Sequence, residues 1–143
     1  MPYATTAHLI AQFGAYEVTQ ITDRAKLGVV DEAVAADALR RASGEMDSYL
    51  AARYPLPLTV VPDQLVDICC DIARYKLVGA HATETDVVRL RYKDALKKLE
   101  GIRDGKIDVG VAEAGAAPVE SASVQVAWGS GGSVFNADSL AGY

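Results

Sequence analysis

Between Thr5 and Arg103 the apolar residues return every three or four positions, the spacing that gathers one face of a helix. Glycine, proline and aspartate break this pattern into five segments. Thr5 and Thr6 precede AHLIAQF and Gly14 closes it, so a short capped helix is expected with Leu9, Ile10 and Phe13 on its apolar side. AYEVTQIT gives a second short helix. Asp31 is the expected N-cap of a long one from Glu32 to Arg53, whose apolar face is Ala35, Ala38, Leu39, Ala42, Met46, Tyr49 and Leu50. Gly44 inside it costs about 1 kcal/mol relative to alanine, and a small residue there predicts close approach of another helix. YPLPLTVVP carries three prolines and reads as a stiff, non-helical connector. Pro62 opens the next helix, which runs to Val78 and ends at Gly79. Thr83 caps the last, from Glu84 to Arg103, with Val87, Val88, Leu90, Tyr92, Ala95, Leu96, Leu99 and Ile102 as its apolar positions. Its bases, Arg89, Arg91, Lys93, Lys97, Lys98 and Arg103, read as a solvated face.

The segment LVDICCDIARYKLVG is apolar on most sides, which makes its helix the central element of the fold. Only Asp67, Asp71 and Arg74, spaced four and then three residues apart, form a polar stripe beside the snorkelling Lys76. Two carboxylates and a guanidinium on such a helix suit an acid/base pair, a metal ledge or one wet edge of a core helix. No nucleophile with a base, no glycine-rich phosphate loop and no histidine lies near the stripe in sequence, so no catalytic residue is assigned. The expectation is a structural polar network in which Asp71 and Arg74 pair with one another or with Asp47 and Arg53 across the helix interface.

From Gly105 the composition changes. The remaining 39 residues are rich in alanine, glycine and serine, hold Lys106 against Asp108, Glu113, Glu120 and Asp138, and lack helical periodicity. Val124, Val126 and Trp128 alternate with Gln125 and Ala127 as in a strand, and Phe135, Leu140 and Tyr143 follow a GSGG hinge. The expected organisation is a helical domain at 1–104 and an extended interaction tail at 105–143. The fold class is all-α: a small bundle of two short and three long helices with a C-terminal tail containing short β-strand segments. Val124, Val126, Trp128, Phe135, Leu140 and Tyr143 are the expected partner interface, because a strand without partners in its own domain invites pairing with another chain.

Charge and cysteine content narrow the function classes. With 143 residues the chain suits one domain that closes a core without staples. A formal charge of -5 disfavours a protein built to grip nucleic acid, although an acidic protein can still surround DNA loosely. No apolar run reaches the roughly 20 residues of a membrane span, and MPYATTAHLIAQF lacks the marks of a secretory signal. Cys69 and Cys70 are neighbours, and His8 and His81 lie in no ligand spacing with them, so buried thiols, a reducing cytoplasm, no metal and no cofactor are expected. Asp23 and Gly28 echo a calcium loop, but Ala25, Leu27 and Val34 offer no side-chain oxygen where ligands belong; a turn is expected.

The order of these blocks, a TDR turn, MDSYLAARYPLPL, VPDQLVDICCDIARYKL, RYKDALKKLEGIRDGKIDVGV and a terminal FNADSLAGY, resembles the Mu-like phage family of small head-to-tail joining proteins. The most specific matches are Asp47, Tyr49, Leu50, Arg53, Tyr54, Pro57 and Leu58, then Cys70 through Tyr75. The chain departs from the family pattern at Ala25, Lys26 and Leu27, where acidic residues are common, and near Phe135, where basic ones are. The resemblance implies a non-enzymatic, structural virion protein: an adaptor of the phage neck, assembled in the bacterial host cytoplasm. It would form a homo-oligomeric ring, commonly twelvefold, between the portal protein and the tail. DNA would pass through without specific binding, which suits an acidic conduit. Tail terminator or stopper proteins would be its neighbours, and either role is the nearest alternative for the chain itself; a small enzyme or a DNA-binding regulator belongs to a different class.

Overall fold

A computed structural model describes residues 1–79 and 87–111. They form five helices: α1 (Thr6–Phe13), α2 (Ala15–Thr22), α3 (Glu32–Leu50), α4 (Asp63–Val78) and α5 (Val87–Arg103). The protein is all-α in this region, with two short helices laid across a bundle of three long ones. Local chemistry sets the boundaries. The Asp31 carboxylate accepts from Ala33 N at 3.0 Å and Val34 N at 3.1 Å, satisfying two of the open donors of α3. Thr5 N donates to the His8 ring at 3.1 Å, and Gly14 and Gly79 close α1 and α4 with φ of 86° and 60°. In the turn before α3, Asp23 takes the N–H groups of Leu27 and Gly28 at 2.9 and 2.6 Å; this carboxylate organises the loop.

α3 stops at Leu50, three residues before the expected Arg53. Arg53 N and Tyr54 N both bond Leu50 O, so the chain tightens into a turn because Pro55 keeps Tyr54 out of the helical region. The connector is non-helical as expected, but it is more than a spacer, since Tyr54 and Leu58 are buried in the core. α4 touches the other four helices, and so does α3; the two share the central position. Ser43 of α3 meets Cys69 of α4, Tyr92 of α5 meets Glu45 of α3, and Arg53 meets the end of α5, so α3 and α5 run parallel with α4 opposed to both. Leu39, Met46, Leu50, Leu65, Ile68, Ile72, Leu99 and Ile102 fill the space between them.

One glycine reverses the sequence expectation and another takes up a close contact. Gly44 is exposed, and a Cβ there would meet nothing within 4 Å among the described residues, so no described helix approaches it. The close approach is at Gly101, where a Cβ would lie 2.9 Å from Ile107 Cδ1. The chain after α5 turns back through Lys106 N and Ile107 N, both bonded to Gly101 O at 2.8 and 3.1 Å, and places Ile107, Val109 and Val111 against the core. Packing on the helices therefore continues past residue 104. Thr83, the first residues of the predicted last helix and the whole of 112–143, with its predicted strand, lie outside the described residues.

Candidate interaction surface

The expected network of Asp47, Arg53, Asp71 and Arg74 is divided among four separate partners. Arg74 pairs with Glu17 of α2, and its guanidinium carbon lies 4.6 Å from the centroid of the Phe13 ring. With 14% of its side chain exposed, Arg74 is largely buried beneath the short helices. Asp71 faces the other way, toward Arg91 of α5 at 3.7 Å, which is ion-pair distance but too long for a hydrogen bond. Its Oδ1 has no hydrogen-bond partner among the described residues, and burial holds its carboxyl above the usual carboxylate range, against the opposing pull of Arg91, Lys98 and Arg74. Asp67, the third member of the stripe, is exposed. The pairing predicted within α4 fails because its two flanks meet different helices, and each helix brings its own opposite charge.

Asp47 accepts from the hydroxyl of Tyr3, while Tyr3 N bonds Ser43 Oγ at 3.0 Å, so the N-terminal segment is pinned along α3. Burial, then the Asp47 bond, pushes the Tyr3 hydroxyl well above its ordinary value. Arg53 donates to the carbonyls of Ile102 and Ile107 at 3.1 and 3.3 Å and ties the return after α5 to the end of α3. A further clasp was absent from the sequence reading. Tyr92 donates to Glu45 at 2.8 Å, Glu45 pairs with Lys76 at 2.6 Å, and the Tyr92 ring stacks on Tyr75 at 4.1 Å, joining all three long helices. Only a regular heptad-like pairing would have betrayed this in sequence, and the residues come from three separate segments.

Among the described residues no three of His, Cys, Asp and Glu converge on a metal position. Cys69 and Cys70 are free and buried; burial raises both thiols, that of Cys70 to about 12, so neither is a ready thiolate. A cleft of about 440 Å³ runs between Met1, Pro2 and the connector residues Leu56, Pro57 and Val61. Large apolar side chains stand out on the surface: Tyr16, Leu27, Val29, Val60, Val87 and Leu90 are all exposed. No described helix is long and apolar enough to cross a membrane. The expected tail interface, Val124, Val126, Trp128, Phe135, Leu140 and Tyr143, lies outside the described residues.

The family described as Bacteriophage Mu, Gp36 matches residues 3–128. The chain belongs to that family. Gene product J of Escherichia phage Mu is 41% identical over 121 residues, covering 84% of this chain and 84% of that protein. The Mu-like prophage FluMu protein gp36 of Haemophilus influenzae is 39% identical over 111 residues, covering 78% of this chain and 77% of that protein. The expected membership of a Mu-like phage family is thus established; the Gp36 match takes in all five helices.

Proposed function

We propose that this Gp36-family chain is a structural, non-enzymatic protein of the phage neck: an adaptor that forms a homo-oligomeric ring between portal and tail, with the tail terminator or stopper beyond it. The observation that carries the reading is the match to the Bacteriophage Mu, Gp36 family over residues 3–128, which takes in all five helices; Tyr16, Leu27, Val29, Val60, Val87 and Leu90 are exposed and available for contacts between copies. Its similarity to gene product J of Escherichia phage Mu and to the Mu-like prophage FluMu protein gp36 agrees with it. The net charge of -5 suits a conduit that lets DNA slide. Val124, Val126, Trp128, Phe135, Leu140 and Tyr143 then serve as contacts between neighbours.

Electron microscopy and native mass spectrometry of the purified chain, alone and with portal and tail components, test this directly. Rings of defined number, twelve by the resemblance, are expected. Cutting the chain after Val111, which spares Ile107 and Val109, should leave a helical monomer that no longer assembles. A chain that stays monomeric with every neck component, or that binds a specific duplex below micromolar at moderate salt, overturns the adaptor reading.

A further inference from the structure

Charge is segregated along this acidic chain. α5 carries six bases, Arg89, Arg91, Lys93, Lys97, Lys98 and Arg103, against Asp94 and Glu100. Residues 112–143 carry Glu113, Glu120 and Asp138 and no base at all. The two bases of α3, Arg40 and Arg41, already share one carboxylate, Asp37, at 2.5 and 2.9 Å. On α5, by contrast, Lys93, Lys97 and Lys98 are exposed and make no ion pair among the described residues. Apolar side chains stand among them. Val87 is 58% and Leu90 51% exposed, and Lys93 and Lys97 follow Leu90 by three and seven residues on the same outer face. A cationic face with apolar side chains at its centre matches a ligand that is anionic and apolar together.

We infer that the outer face of α5, centred on Leu90, Lys93 and Lys97, is the docking surface for the acidic, apolar segment 112–143 of this chain. This rests on reading that segment as the interaction tail. Its 32 residues reach up to roughly 105 Å when extended, so it can meet α5 of its own copy or of a neighbour. The carboxylates of Glu113 and Glu120 set its approach and the aromatic residues beyond them bury against Val87 and Leu90.

The test uses the full chain with the photo-cross-linker p-benzoylphenylalanine at the position of Leu90, irradiated at low salt, with the captured peptides identified by mass spectrometry. Capture of peptides from 112–143 is expected. Its yield should fall about tenfold with Lys93→Glu and Lys97→Glu together, the effect of losing roughly two exposed ion pairs, and should fall likewise in high salt. Adding Glu113→Lys and Glu120→Lys to that variant should restore capture, which a simple folding defect would not allow. Arg40→Glu with Arg41→Glu should leave it unchanged. Capture confined to other segments, preferential capture of an added DNA duplex, or indifference to the charge reversal overturns the docking. Refolding light and isotopically heavy chains together separates this from the ring reading: heavy-to-light capture supports both, whereas capture only within one copy upholds the docking and tells against the ring.

Discussion

Asp71 and Arg74 sit three residues apart on α4 and meet opposite circumstances. On the side of the short helices, Arg74 lies over the Phe13 ring and pairs with Glu17 through Nη2, so its charge is countered although its buried Nε bonds nothing among the described residues. On the side of α5, Asp71 is nearly as covered, at 16% exposure, yet its nearest cation stands 3.7 Å away and one oxygen bonds nothing among the described residues. α5 is held instead by the neutral hydroxyl of Tyr92 on Glu45. A covered charge thus stabilises only where a neighbour supplies both contact and counter-charge; burial alone works against it.

The largest effect should come from breaking the side with the countered charge. Arg74→Ala removes the ring contact and the ion pair, and because Glu17 is exposed enough to regain water the expected cost is about 2 kcal/mol, below the range for fully buried pairs. Denaturant unfolding measures it, and a loss under about 0.5 kcal/mol would erase the contrast with Asp71. Next, Tyr92→Phe should cost about 1 kcal/mol, since it deletes one hydrogen bond while Glu45 keeps Lys76. Gly44→Ala should raise stability by about 0.5 to 1 kcal/mol, as the site is open and helical; Gly101→Ala should gain less or lose, because Ile107 must give way.

The smallest change at neutral pH, and the sharpest test of the comparison, is Asp71→Asn: stability equal to or above the parent is expected. A folded carboxyl raised above its unfolded value binds protons better in the native state, so its destabilisation grows as pH rises from the ordinary carboxylate value through the raised one. Unfolding curves across that window should show a slope that the Asn variant lacks. Asp23 has the opposite sign. The Leu27 and Gly28 amides hold it below the usual range, so its stabilisation is present above the ordinary value and is lost as pH falls through the lowered one. If Asp71→Asn instead loses about 2 kcal/mol or more, Arg91 compensates the charge better than its distance allows.

The helices, their caps and the connector were legible in the sequence because they depend on near neighbours. Spacing of three and four sets the buried faces of α3 and α4, Asp31 bonds amides two and three residues ahead, and Pro55 and Pro57 keep the connector out of a helix while Pro62 stands at the N-cap of α4. Membership of the phage family was legible too, since it lies in the order of the blocks. Only the tertiary structure decided which partner each polar group takes. Glu17 reaches Arg74, Tyr3 reaches Asp47 and Tyr92 reaches Glu45 because of the rotation and crossing of helices far apart in sequence, and no local pattern encodes those angles. For the same reason the close contact expected at Gly44 occurs at Gly101. A helix pattern shows that a small residue is present, but only the packed chain shows whether anything comes to lie against it.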